Sequence, residues 1–158
     1  IGLVIASLMF MKKIGNITGQ RSSVKPIKDT MWVDELNFPQ KFKEEVFIKH
    51  VNGPLFFGST SDFQALSVQI PDTASVVIMR LGRMQYMDQS GLYAMEDMLL
   101  NLKNRNIEVV FVHLLKQPRY MMERIKIIPN LLSEDHIFKT FDKAIIWLNN
   151  NVEDQFKP

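Results

Sequence analysis

The sequence predicts an α/β fold, a central β-sheet of short buried strands packed with about four α-helices. Three observations predict it. Apolar runs rich in valine and isoleucine recur at residues 75–81 (SVVIMRL) and 108–115 (EVVFVHLL), as in strands covered on both faces. Between and after them, apolar residues fall three and four apart, the spacing of one helix face. Strand and helix signals then alternate along the chain, the pattern of a layered sheet-and-helix domain.

Residues 1–11 (IGLVIASLMFM) carry no charge, and Lys12-Lys13 follows at once. As a helix this run would rise about 1.5 Å per residue and span about half of a ~30 Å hydrocarbon core. A signal peptide would carry a basic segment ahead of the apolar run, and a buried amphipathic helix would have a polar side. Residues 1–13 are therefore expected to end a transmembrane helix, with the lysines on the cytoplasmic side. Residues 14–44 are expected to be a linker and an extended lead-in. The linker holds Gly15, Gly19, Ser22, Ser23 and Pro26 and shows no hydrophobic period. From residue 12 to 28 there are five basic residues and no acid. Such a segment is either a solvated linker or a strip lying on anionic headgroups, worth roughly 1 kcal/mol per charge at the surface. Asn16-Ile17-Thr18 matches a glycosylation acceptor but adjoins the basic cluster assigned to the cytoplasmic side. Residues 31–43, with Trp32, Phe38, Pro39 and Phe42, complete the lead-in.

Residues 45–51 (EVFIKHV) read as the first strand. Val46, Ile48 and His50 would face one way, and Phe47, Lys49 and Val51 the other. Asn52-Gly53 signals a tight turn, and residues 54–58 (PLFFG) read as a second strand pairing back. Ser59-Thr60-Ser61-Asp62 starts a helix. Ser61 with Gln64 fits a capping box, Phe63, Leu66 and Ile70 form the inner face, and Pro71 ends it. After the strand at 75–81, Gly82 and Arg83 break the run. Asp88-Gln89-Ser90-Gly91 opens a helix with Leu92, Met95, Leu99 and Leu102 on one face. Asp88 suits the N-cap, where its carboxylate accepts free backbone N–H groups. Ser90 then lies in the first turn, where the positive end of the helix favours an anion. In the strand at 108–115, His113 reads as a satisfied core residue. Pro118 suits the first position of a helix carrying Tyr120, Met121, Met122 and Ile125, and Ile128-Pro129 stops it. Residues 137–138 are a short edge strand or a loop. Thr140 caps a last helix with Phe141, Ala144, Ile145, Leu148 and Val152 on one face. One domain over residues 45–152 and a tail over 153–158 account for the rest.

The function classes that composition excludes are broad. A net charge of +2 and the lack of a basic helix interleaved with aromatics argue against nucleic acid. The absence of cysteine removes disulfides, thiol catalysis and cysteine-based metal sites. His50, His113 and His136 lack the spacing of a metal motif. No Gly-x-Ser-x-Gly, Walker A loop or Gly-x-Gly-x-x-Gly occurs. Asp88 beside Ser90 is a poor activator of a hydroxyl without a histidine or lysine between them. A non-enzymatic domain without metal or cofactor is expected.

Strand, short loop, Asp-x-Ser-Gly-Leu and amphipathic helix together resemble the core of a STAS domain. That family includes bacterial anti-sigma-factor antagonists and the cytoplasmic tails of SulP-type sulfate permeases. Gly-Pro-Leu-Phe-Phe-Gly at residues 53–58 resembles the opening of the domain in the bacterial SulP permeases in particular. The resemblance implies an anti-sigma-factor-antagonist-like sheet and a regulatory domain of a SulP-like secondary transporter of sulfate, bicarbonate or dicarboxylate. It implies a place on the cytoplasmic side of the cell inner membrane. The implied partners are the membrane domain of the same transporter, a cytosolic protein, and a second copy joined through the membrane part. In the antagonists the serine before the glycine is the phosphorylation site. Ser90 falls on it, flanked by Asp88, Gln89, Gly91 and Leu92. Two alternatives stay open. One is a free-standing partner-switching protein using the Ser90 face. The other is a nucleotide sensor in which Gly58, Ser59, Thr60, Ser61 and the start of the Ser90 helix present backbone N–H groups to a phosphate.

Overall fold

The computed structural model describes residues 31–152. The expected membrane-helix end at 1–13, the linker as far as residue 30 with its basic strip, and the tail at 153–158 lie outside the described residues.

Four strands form one parallel sheet in the order β1 (Val46–His50), β2 (Val76–Arg80), β3 (Glu108–Val112), β4 (Ile137–Phe138). Valine and isoleucine dominate the two central strands, where covering on both faces leaves no residue of β2 exposed. Parallel neighbours need crossovers, and crossovers of one hand between sequential strands fall on one face of the sheet. There pack α1 (Thr60–Gln69), α2 (Gln89–Asn104), α3 (Lys116–Arg124) and the short α4 (Ile127–Asn130). Their inner residues, among them Phe63, Leu92, Met95, Leu99, Leu102, Met122 and Ile127, meet Val77, Met79, Val109 and Phe111. The opposite face, Val46, Val76, Ile78, Val110 and Val112, is covered by α5 (Phe141–Asn151) through Phe141, Ala144 and Leu148. The alternation expected along the first strand holds, with Val46 and Ile48 on the α5 face and Phe47 and Val51 on the other.

Several local expectations are confirmed by their hydrogen bonds. Asp88 Oδ1 accepts the Gly91 N–H at 2.8 Å, and Thr140 Oγ1 accepts the Lys143 N–H at 3.3 Å, so both are N-caps. Residues 137–138 are an edge strand.

Other expectations are corrected. Residues 54–58 are not a strand, and no hairpin forms. Pro54 has no N–H to give a ladder, and Leu55 alone makes a parallel bridge to Met87. Ser59 Oγ then accepts the Phe56 N–H at 3.1 Å and turns residues 57–59 into a 3-10 turn. Ser61 and Gln64 form no capping box, because α1 begins two residues earlier than that box requires, at Thr60, with Ser59 in the cap position straight out of this turn. Pro118 is the third residue of α3, which begins at Lys116. His113 is an exposed residue just past β3, with φ of 62°, and not a core strand residue. The lead-in is not extended either. Residues 33–35 and 40–42 are 3-10 turns, and Glu35, Phe38 and Phe42 are buried. Phe38 and Phe42 complete the apolar layer over the α5 face, which a single helix is too narrow to cover.

Candidate functional site

All the parallel strands end at the same edge of the sheet, and the loops leaving that edge carry the residues singled out in the sequence. The loop after β2, residues 81–87, delivers Asp88 to the start of α2. The loop after β1 delivers Leu55 against it. The Asp88 N–H donates to the Leu55 carbonyl at 3.1 Å, and the Leu55 N–H donates to the Tyr86 carbonyl at 2.8 Å. Two sequence signals thus prove to be one structure: Gly-Pro-Leu-Phe-Phe-Gly is the seat on which Asp-Gln-Ser-Gly-Leu rests. Gly91 is what permits it. A β-carbon there would sit 2.3 Å from the Leu55 carbonyl oxygen, a distance no side chain could occupy.

Ser90 is the second residue of α2 and is half-buried. Its hydroxyl has no hydrogen-bond partner among the described residues. Asp88 fills the cap position, so the first turn does not draw on the Ser90 hydroxyl for its cap. Gln89 is exposed and its Nε2 donates to Tyr93 Oη at 3.0 Å. Leu92 turns inward and is buried. Beside this turn runs a groove of about 360 Å³ between α2 and α3, lined by Gln89, Leu92, Tyr93, Met121, Arg124 and Ile125. Tyr86, Tyr93, Tyr120 and Phe56 are all about half exposed at this end of the molecule. Of the groove's own lining, Tyr93 and Arg124 are of residue types enriched at protein–protein contacts. On the underside Gln117 anchors the loop, accepting the Met87 N–H and donating to the Met87 carbonyl, both at 2.9 Å.

The second candidate loop, Gly58, Ser59, Thr60 and Ser61, lies beyond Leu55. The Ser59 hydroxyl is engaged with Phe56 and with the Pro54 carbonyl at 3.3 Å, so it serves the turn itself. Gly58 packs where a β-carbon would press on the Phe56 ring at 2.9 Å. Among the described residues, no group of three or more His, Asp or Glu side chains is placed to hold a metal ion.

A third cluster at this edge was not anticipated. Arg80, the last residue of β2, makes two 2.6 Å bonds to the carboxylate of Asp34 and one of 2.9 Å to Glu35 Oε1. Glu35 Oε1 also lies 2.6 Å from His50 Nε2 at the end of β1. Trp32 stacks on the His50 ring at 4.6 Å, and the Arg80 guanidinium lies over both Trp32 and Phe141. Glu35, His50 and Arg80 are buried, while Asp34 reaches the surface. The hydrogen bond from Arg80 holds the Asp34 carboxyl below the ordinary carboxylate range, against the opposing effect of its partial burial. Burial works against the Arg80 charge, but the bonds and charges of Asp34 and Glu35 outweigh it and leave Arg80 more firmly protonated than usual. Its Nε, buried, has no hydrogen-bond partner among the described residues. The cluster joins residues 15 and 45 positions apart, and the period of neither strand reveals it. The available signals were an arginine closing an apolar strand and a Trp-x-Asp-Glu group just ahead of the fold.

Comparison with known proteins bears on this architecture. A sequence profile described as the STAS domain matches residues 37–144. No curated protein sequence matches the chain. Among solved structures, the chain is similar to a sulfate transporter family protein from Wolinella succinogenes, with 24% identity and a TM-score of 0.66. The match covers 80% of this chain and 99% of that one. It is similar to the SulP transporter STAS domain from Vibrio cholerae, with 22% identity, a TM-score of 0.60, and coverage of 75% and 88%. It is also similar to the murine Slc26a9 anion transporter, with 16% identity and a TM-score of 0.60 over 68% of this chain and 18% of that one.

Proposed function

The chain belongs to the STAS domain family, and from that premise we propose that it is the cytoplasmic regulatory domain of a SulP-like secondary anion transporter in the inner membrane. The domain is non-enzymatic in this reading, works without a cofactor, and acts by binding. The observation that carries the reading is the order along the chain. An uncharged apolar run closed by Lys12-Lys13 precedes a basic linker and then a STAS domain. A free-standing antagonist has no use for the first of these. The likeness to a sulfate transporter family protein and to a SulP transporter STAS domain supports it. No described helix is long and apolar enough to cross a membrane. In this reading transport itself belongs to the membrane domain of the same transporter. In the same reading the basic strip at residues 12–28 rests on anionic lipid, and a second copy is met through the membrane part.

Ser90 is the proposed phosphoacceptor or partner-binding residue, and the half-exposed aromatics around the α2–α3 groove are the proposed seat of a cytosolic protein. A phosphate on Ser90 would add about −1.5 to −2 charges beside that groove, which a docking partner would have to desolvate. The test is to express the complete reading frame that encodes this chain, fractionate the cells, and measure uptake of labelled sulfate, bicarbonate and dicarboxylate. Recovery in the membrane fraction with uptake of one anion, altered by Ser90→Asp, is the expected result. Recovery in the soluble fraction with no uptake would overturn the transporter reading in favour of the free-standing one.

A further inference from the structure

The loop of residues 81–87 touches two regions with different tasks. At one end it continues from Arg80, which Asp34 and Glu35 hold. Its own Arg83 lies over the Trp32 ring at 4.6 Å and points Nη1 at Asn52 Oδ1, 3.5 Å away. At the other end the Tyr86 carbonyl holds Leu55, Gln117 grips Met87, and Asp88 starts the Ser90 helix. Leu81, Met84 and Met87 are completely buried, so the loop has little slack between those ends.

We infer that residues 32–35 form a conformational latch whose engagement sets the position of the Ser90 helix end through this loop. Trp32 is the moving part. One side of its ring stacks on His50, and the guanidinium groups of Arg80 and Arg83 lie over it. Lifting it uncovers the His50 ring and the Arg80 guanidinium, groups that water solvates well. Opening such a latch costs less than exposing an equal apolar area, because the desolvation that the closed state imposes on those groups is recovered. Phe38 and Phe42, a few residues further on, stay packed under α5 and limit how far the opening spreads. Lifting Trp32 also removes one of the two contacts of Arg83, and so loosens one end of the loop that seats Asp88 and Gly91. The coupling is internal to the domain and holds whether or not a transporter precedes it.

The test is amide hydrogen exchange of the whole chain, read at Leu55, Asp88 and Gly91, whose N–H groups bond the Tyr86 carbonyl, the Leu55 carbonyl and Asp88 Oδ1. Trp32→Ala should speed exchange at these three amides about tenfold. Arg83→Gln should speed it in the same places, and the double variant should add little to Trp32→Ala, because the two residues share one contact. Leu148→Ala, a core change under the same sheet face, is the control for general loosening. Unchanged exchange in Trp32→Ala would overturn the proposal. So would equal changes in the core control at matched global stability, or effects of the two single variants that simply add. Arg83 is exposed, so Arg83→Gln keeps the fold and decides the matter alone if Trp32→Ala does not fold.

Discussion

Replacing Gly91 by alanine tests the contact that joins the two motifs. The added methyl would lie 2.3 Å from the Leu55 carbonyl oxygen, 2.8 Å from its carbon and 3.0 Å from Leu55 Cγ. Carbon–oxygen contacts normally begin near about 3.3 Å, so helix and loop must part by roughly 1 Å. The β-carbon has no torsion by which to escape, and the obstacle is backbone. Moving Leu55 strains both its bonds, to Asp88 and to Tyr86. Overpacking costs about 1–3 kcal/mol, and the two hydrogen bonds are worth about 1 kcal/mol each. Alanine returns about 1 kcal/mol through its better helix propensity. The net expectation is a loss of about 2–4 kcal/mol, a fall in melting temperature of roughly 4–16 °C. Thermal and urea unfolding followed by circular dichroism measure it. A Gly91→Ala protein that melts at or above the parent temperature would refute the reasoning and make Gly91 an ordinary helical glycine.

Three further expectations follow from the same contacts. Phe42 is 1% exposed, so Phe42→Ala should cost about 3–5 kcal/mol in urea unfolding, whereas a loss below about 1 kcal/mol would return residues 31–43 to the status of a linker. Asp34 has a lowered pKa in the fold, so its contribution is complete above the unfolded value of about 3.9 and is lost as pH falls through the folded one. The stability gap between parent and Asp34→Asn, at most about 1 kcal/mol for so exposed a carboxylate, should therefore be steady near neutrality and close in acid; a gap that closed toward alkaline pH would contradict the pairing with Arg80. Asp88→Ala should cost about 1 kcal/mol for the lost cap, while Ser90→Ala and Ser90→Asp should each stay within about 0.5 kcal/mol of the parent; a larger loss in Ser90→Ala would make the hydroxyl structural.

The α/β architecture was legible because its signals are local. Valine-rich runs, helical spacing in residues 92–102 and the Asp88 and Thr140 caps each depend on neighbours within a few positions, and each appears in the structure as read. The placement of Ser90 in a helical first turn was legible for the same reason. The strand read at residues 54–58 failed because apolar composition alone does not say which backbone groups find partners. Leu55 finds Tyr86 and Asp88, and Ser59 takes Phe56 into a turn.

What the sequence by itself determined, then, is the alternation of strand and helix, the two central strands and the long helices that follow them, and the polarity of the helix that carries Ser90. These rest on propensity and periodicity, which act within a few residues. The tertiary structure alone decided that Leu55 seats Gly91 and that Phe38 and Phe42 belong to the core. It alone showed that Asp34, Glu35, His50 and Arg80 close over the strand ends beneath Trp32. Each of these joins residues far apart in the chain, and each exists only because parallel strands bring their ends, and the loops that leave them, to one edge of the sheet.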